Sequence, residues 1–354
     1  MANHSHPQQP HVASNPETVS VSATESGSPA AAGPDGHHDG PKGHDGIDRR
    51  GFLSCMAWAG TGLIWTMVGG VPTSKLFAAA SGHGASHASH AGSFSFVQIS
   101  DSHIGFNKAA NQDVAGTLKL AIDKINGLSA PPELLLHTGD ISQSSKAAEF
   151  DTAAEIIKGA KAGATFYVPG EHDTALDDGT LYQQRFGQGA TGRGWYSFDH
   201  RGVHFVGLNN VLQIDAMGKL GPDQLAWFKS DLAALSSSTP IVIFAHIPLW
   251  MVYPDWGWGT ADSAEALSYL KRFGSVTVLN GHIHQVVQKV EGNVAFHTAC
   301  STAFPQPAPG SAPHPGPMVV PAGSLRSVLG ITEVKYIGRH SHLALVDSSL
   351  ADQS

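Results

Sequence analysis

The chain has 354 residues, 41% hydrophobic and 14% charged, with a formal net charge of −8. That apolar content suffices for one sizeable core but not for two large ordered domains. The acidic balance excludes the basic field that a nucleic-acid polymer or an anionic membrane surface requires.

Histidine is the compositional outlier, its 21 residues equalling lysine and arginine together. Neutral imidazole is the commonest side-chain metal ligand, so metal binding is expected from composition alone. Two cysteines, Cys55 and Cys300, make no disulfide framework. Cys300 reads as a buried free thiol.

Residues 1–48 are rich in Pro, Gly, Ser and His, lack apolar periodicity and read as a disordered tail. His37, His38 and His44 belong to it. Residues 49–80 begin at Arg49-Arg50, continue through a Gly-rich apolar run to Val71 and end in Ala78-Ala79-Ala80. Paired arginines before such a run resemble a twin-arginine export signal, with the alanines as an A-x-A processing site. The run is long enough to span a membrane, but its five glycines and two threonines make it less apolar than an ordinary spanning helix. The expectation is a cleaved signal peptide, the twin-arginine machinery as a partner, and a periplasmic or exported product. The alternative is an uncleaved anchor facing the periplasm, the one route by which this chain touches membrane. Residues 81–92 are a Gly/Ala/Ser/His linker, and the globular domain is expected over residues 93–350.

Within the domain, strands and helices alternate. Phe94–Ile99 is an apolar, β-branched run, and residues 112–127 place Val114, Leu118, Ile122 and Ile125 on one helical face. Leu134–His137 reads as a buried strand, residues 144–159 as a helix and Thr165–Val168 as a strand. Tyr196–His200 and Val203–Leu208 flank Arg201-Gly202 as a hairpin. Pro222–Leu235 is a helix with proline in its first turn. Ile241–Phe244 and Val276–Leu279 are buried strands, and a second hairpin joins Val286–Val290 to Val294–His297. Residues 304–323 hold seven prolines and form a loop. Strands near 331–337 and 342–347 close the domain. Early βαβ units followed by hairpins predict an α/β fold of mixed sheets with helices outside; no internal repeat is present.

Five short segments each follow one of these strands: Asp101-Ser102-His103, Gly139-Asp140, Gly170-Glu171-His172-Asp173, His246-Ile247-Pro248 and Gly281-His282-Ile283-His284. Ligand sites in open α/β sheets form beyond the carboxyl ends of strands, so five strand ends deliver carboxylates and imidazoles to one rim. Residues separated by one position on extended backbone point the same way, so Asp101/His103 and His282/His284 are each a potential chelating pair. A carboxylate such as Asp140 is able to bridge two ions. The donor types suit two transition-metal ions, Fe, Mn or Zn. Each segment alone is weak evidence; the five together, in this order, are strong.

The ordered set resembles the calcineurin-like metallophosphoesterases, whose pattern is D-x-H, G-D, G-N-H-[DE], a lone H and G-H-x-H. Leu220 and Gln224-Leu225-Ala226-Trp227 add a likeness to the class III cyclic-nucleotide phosphodiesterase branch. The resemblance covers roughly residues 94–298 and implies a four-layer α/β/β/α sandwich. It implies one ion held by Asp101, His103, Asp140 and His284, and another by Asp140, Glu171, His246 and His282. A metal-bridging hydroxide would attack the phosphorus of a small phosphodiester or phosphomonoester. His172 would be the general acid, oriented by a hydrogen bond to Asp173.

The family pattern has Asn where this chain has Glu171. Two divalent ions, three carboxylates and one hydroxide carry no net charge, whereas Asn would leave one positive charge to attract phosphate. The reading therefore expects Glu171→Asn to raise phosphodiesterase turnover. Its rival is a catalytically weak member of the fold that binds metal or a partner. Trp250, Tyr253, Trp256 and Trp258 follow the His246 segment and read either as an aromatic loop packed on its own domain or as a substrate wall. Asn209, Asn210 and Asn280 read as turn residues near the rim. His200, His204, His297, His340 and His342 have no motif partner and read as core or surface histidines.

Overall fold

The first strand of the domain, β1 (Phe94–Ile99), sorts its side chains into two environments. Phe94 and Phe96 point into one apolar cluster, and Val97 and Ile99 into another. Such alternation requires a sheet covered on both faces. The computed structural model describes residues 93–212, 214, 216–337 and 342–351, together with the paired antiparallel strands Ile64–Val68 and Val71–Lys75. That pair belongs to a unit of its own, Met1–Ala79. The tail of residues 1–48, the Arg49-Arg50 pair, Ala78-Ala79-Ala80 and the linker 81–92 lie outside the described residues.

The domain continues through α1 (Val114–Asn126), β2 (Leu134–His137), α2 (Ala147–Ile157), β3 (Ala164–Tyr167), α3 (Glu171–Thr174), α4 (Thr180–Phe186), β4 (Tyr196–His200) and β5 (Val203–Gly207). Next come α5 (Pro222–Ala233), β6 (Ile241–Phe244), α6 (Ser263–Ser268), β7 (Val276–Asn280), β8 (Gln288–Glu291) and β9 (Val294–Thr298). The last elements are α7 (Leu325–Val328), β10 (Gly330–Ile337) and β11 (His342–Ser349). One sheet has the order β11-β10-β1-β2-β3, with β1, β2 and β3 parallel. The other has the order β8-β9-β7-β6-β5-β4, with β5, β6, β7 and β9 parallel.

Helix α1 starts where the Asp113 carboxylate caps Gly116 N–H at 2.9 Å. Its Val114, Leu118, Ile122 and Ile125 face the first sheet. Helix α5 begins with proline, which gives up no helical hydrogen bond there, and packs Leu225, Phe228 and Leu232 on the second sheet. Phe96 meets Phe205 edge-on at 5.4 Å between the sheets, and each buried ring contributes about 1.5–3 kcal/mol. Gln98 Nε2 ties the sheets together, donating to Thr138 Oγ1 at 2.9 Å and to Asn280 O at 3.0 Å. This is the expected α/β/β/α sandwich.

Helix α2 is shorter than the expected 144–159. Ser144 N–H instead donates to the Glu149 carboxylate at 2.7 Å, and Ser145 has a φ of 53°, so the helix starts only at Ala147. The short helices α3, α4, α6 and α7 span too few residues for periodicity to reveal. Among the described residues no helix is long and apolar enough to cross a membrane.

Candidate metal centre

Five of the seven predicted ligands have left-handed backbone. The φ angles are 54° at Asp101, 43° at His103, 52° at Asp140, 70° at His282 and 55° at His284. Such residues cost on the order of 1–3 kcal/mol each and persist only where the surroundings over-determine them. Here the strand-end loops lace together. Asp101 N–H donates to Gly139 O at 3.0 Å, His103 N–H to Asp140 O at 2.9 Å and Gly281 N–H to His246 O at 2.9 Å. The His282 N–H reaches Asp101 Oδ1 at 3.1 Å. Gly139, with φ 95°, lies so close to His246 that a Cβ would stand 2.5 Å from its Nδ1, and a Cβ on Gly170 would collide with the Asp140 carboxylate.

These loops bring all seven side chains into two groups. Asp101, His103 and His284 form one: His284 Nε2 lies 3.3 Å from Asp101 Oδ1 and 3.1 Å from His103 Nε2. Glu171, His246 and His282 form the other, with Glu171 Oε2 2.9 Å from His246 Nε2 and Oε1 2.9 Å from His282 Nδ1. Asp140 sits between them, its Oδ2 3.5 Å from His103 Nε2 and 3.4 Å from His246 Nε2.

The donor chemistry fits cations. His246 Nδ1–H donates to Thr138 O at 2.7 Å and His284 Nδ1–H to Phe304 O at 2.6 Å. Each imidazole therefore turns its Nε2 toward the carboxylates. The buried His246 Nε2 and Glu171 Oε2 have no hydrogen-bond partner despite their proximity. Burial disfavours charge on Asp101, yet His284, His246 and His103 hold its carboxyl well below the usual range. Asp140 and Glu171 are likewise held low against burial, Glu171 by His282 and His246. Burial pushes His103 down to about 3. For His246, Asp140 and Glu171 outweigh burial and raise its pKa well above the ordinary value. Two buried carboxylates and the half-buried Glu171 thus draw positive charge onto the cluster. Bound metal ions would supply that charge in place of the proton, since an imidazole ligates when neutral.

His172 lies beside the first group, its ring 4.9 Å from that of His103. Its N–H donates to Asp140 Oδ1 at 2.9 Å and its Nδ1 donates to Gln143 O at 2.8 Å. The expected hydrogen bond from the His172 ring to Asp173 does not form. The buried Asp173 carboxylate turns instead toward N–H donors: Ser142 at 2.8 Å, and Ile141 and Gly170 at 3.0 Å. It also accepts the Ser142 hydroxyl at 2.9 Å. Ile141 and Ser142 follow the left-handed Asp140 directly, and Gly170 stands at the start of α3. Burial and the nearby Asp140 push Asp173 up to about 7. Asp173 therefore pins the Asp140 loop to the start of α3, and Gln143 O orients His172.

Sequence reasoning missed several supports. His137 is fully buried; its Nδ1 accepts from Gly139 N–H at 3.3 Å, so its Nε2–H donates to Ser102 Oγ at 2.8 Å. Burial lowers its pKa to about 4, consistent with that neutral form. Ser301 Oγ donates to Asp101 O at 2.8 Å and accepts from Ala303 and Phe304 N–H. The Phe304 ring lies 4.8 Å from both His103 and His284. Gln306 Nε2 holds His282 O at 2.9 Å. The Pro-rich loop thus begins as a brace for the site. A dense serine and threonine run at 298–302 was the available signal.

The other expectations resolve locally. Trp250 and Trp258 are buried, while Tyr253 and Trp256 are half-buried and meet edge-on at 5.2 Å. Asn210 and Asn280 both donate to Ile247 O, at 2.7 and 3.1 Å, clamping the His246 loop from behind. Asn209 bonds Arg193 O. His200 pairs with Glu133, His204 with Asp199 and Asp231, and His297 with Asp347. His340 lies outside the described residues. Cys300 is partly covered, and burial pushes its thiol up to about 12.

The four-layer sandwich and its rim of carboxylates and imidazoles are those of a metallophosphoesterase. Residues 94–286 match the model of the calcineurin-like phosphoesterases, and the chain belongs to that family. A probable glycerophosphodiester phosphodiesterase GpdQ from Arcobacter nitrofigilis is 24% identical over 223 residues, covering 58% of this chain and 77% of the relative. A probable cyclic nucleotide phosphodiesterase from Vesicomyosocius okutanii is 25% identical over 216 residues, covering 60% and 87%. In fold, the chain is similar to a dimetal phosphatase from Danio rerio, with a TM-score of 0.54 and 15% identity over 73% of this chain and 97% of that one.

Proposed function

We propose that the protein is an exported phosphoesterase that uses two metal ions to hydrolyse a small phosphodiester, in preference to a phosphomonoester. The observation that carries this reading is the convergence of seven buried or half-buried donors in two groups, with Asp140 between them. Asp101, His103 and His284 would hold one ion, Glu171, His246 and His282 the other, and Asp140 both. When bound, the ions supply Lewis acidity, which sharpens a water near neutral pH and neutralises phosphoryl oxygens.

The protein's own groups do the rest. Thr138 O and Phe304 O fix the imidazole tautomers. Gln143 O accepts a hydrogen bond from His172 Nδ1–H, which leaves Nε2 for the departing alcohol. Burial opposes charge on that ring, but Asp140 and Glu171 keep its pKa above the ordinary value, which suits a proton donor. Export, with the twin-arginine machinery as partner, rests on Arg49-Arg50 and the apolar run that follows.

The test is metal quantification of the purified mature protein, followed by a phosphoester panel with the native metals retained. Two ions per chain with diester turnover is the expected result; metal-free protein that stays inert after reloading with Fe, Mn or Zn would end this reading. The rival, a metal- or partner-binding module of low activity, draws on Glu171, whose carboxylate lies against both His246 and His282. Two bound ions without turnover would favour it.

A further inference from the structure

We propose that a cavity behind α3 is a subsite for the alcohol portion of the substrate, a neutral polyhydroxyl group of sugar size. This deepens the phosphodiesterase reading and rests on it. The cavity measures about 540 Å³, within the range of small-molecule sites. Pro169 and Thr174 line it, and between them in the chain stand Glu171 and His172. One helical turn therefore separates the cavity from the metal cluster. That turn is also the open edge of the cluster. The Glu171 side chain is 29% exposed and that of His282 15%, against 0% for His246 and 1% for His284. In this proposal a phosphoester reaching the donors crosses that turn, and its alcohol portion extends toward the cavity.

The lining selects the chemistry. Gln183 and Gln184 offer amides, which both donate and accept, while the Thr174 and Thr180 hydroxyls, donating to Glu171 O and Asp177 O, keep lone pairs that accept. Asp178 and Arg193 also line the cavity, but as an ion pair with each other. Their charges offset, so the site lacks the surplus positive charge that a second phosphate would need. Among the described lining residues the one aromatic, Tyr182, is only 2% exposed and gives no face on which a base could stack. Gly179 and Gly192, with φ of 81° and 55°, keep part of the wall bare of side chains. A group that presents several hydroxyls matches such walls.

The experiment compares two phosphodiesters that release the same 4-nitrophenolate, one carrying glucose on the second ester and the other phenol. Wild type is expected to show the higher kcat/KM for the glucosyl diester. Thr180→Trp, at an exposed lining position, and Arg193→Ala should each lower the ratio of the two kcat/KM values at least tenfold, chiefly through KM for the glucosyl diester. An unchanged ratio in both variants, or equal losses on both substrates, overturns the subsite. Turnover of the phenyl diester by wild type tests the phosphodiesterase reading separately. Should wild type hydrolyse neither diester, calorimetric titration with methyl glucoside still decides. Saturable binding that both variants lose supports the cavity as a polyol site, and no binding to wild type overturns it.

Discussion

Glu171 Oε2 faces His246 Nε2 at 2.9 Å, and neither buried atom has a hydrogen-bond partner. A third carboxylate therefore stands among the donors where the family pattern has a neutral amide. Replacing it with Asn removes one negative charge next to the proposed phosphate site. At matched metal content, Glu171→Asn is expected to raise turnover of a chromogenic phosphodiester by about tenfold, equivalent to 1.4 kcal/mol of barrier. A fall in turnover would show that the carboxylate is needed.

Ser301 holds three backbone groups through one hydroxyl, including the carbonyl of Asp101. Ser301→Ala leaves them unpaired in a buried place, at about 1–3 kcal/mol. Supports one step behind a metal ligand typically set affinity within a factor of about 10–100. Metal titration should show a weakening of that order for one ion of the pair, with circular dichroism unchanged. Equal affinity for both ions would contradict the bracing role.

Removing metal should loosen the whole domain. An ion present at 100 times its dissociation constant stabilises the native state by about 2.7 kcal/mol, or roughly 5–10 °C in Tm for a domain of this size. Differential scanning calorimetry with and without chelator measures this, and a Tm indifferent to chelator would argue against bound ions.

His204 provides a pH signature remote from the metals. Burial disfavours its charge, but Asp231 and Asp199, both 2.8 Å away, raise its pKa. The native state thus binds this proton more tightly than the unfolded chain. The stabilisation is complete below about pH 6.5, the unfolded value, and fades as pH rises through the raised native value. His204→Gln should cost about 1 kcal/mol at pH 6, discounted because Asp199 is well exposed, and clearly less at pH 9. Chemical denaturation at the two pH values is the check; a cost that grows with pH would rule out the pairing.

Legibility from sequence followed sequence separation. The strands β1, β2, β6 and β7 are short apolar runs whose ends coincide with the motif segments, so both the elements and the ligands could be read directly. Helix α4, with seven residues, offers too little periodicity to notice. The partner of the His172 ring was misjudged because Asp173 is adjacent in the chain, whereas Gln143 O, nearly thirty residues away, is adjacent in space. Ser301 and Phe304 could not be connected to Asp101 and His284 without the antiparallel return of β10 alongside β1, which carries that loop across the rim.

The two sheets contribute unequally to the donor set. Asp101, His103, Asp140 and Glu171 extend from the five-stranded sheet, and His246, His282 and His284 from the six-stranded one. Any ion seated among them is a rivet through both plates of the sandwich. Sliding one plate over the other would pull its fastening points apart, so the aromatic filling at Phe96 and Phe205 acts as the spacer that sets the gauge of the reaction centre. Substitutions deep in that filling, far from any ligand, are positioned to tune chemistry by altering how the plates seat.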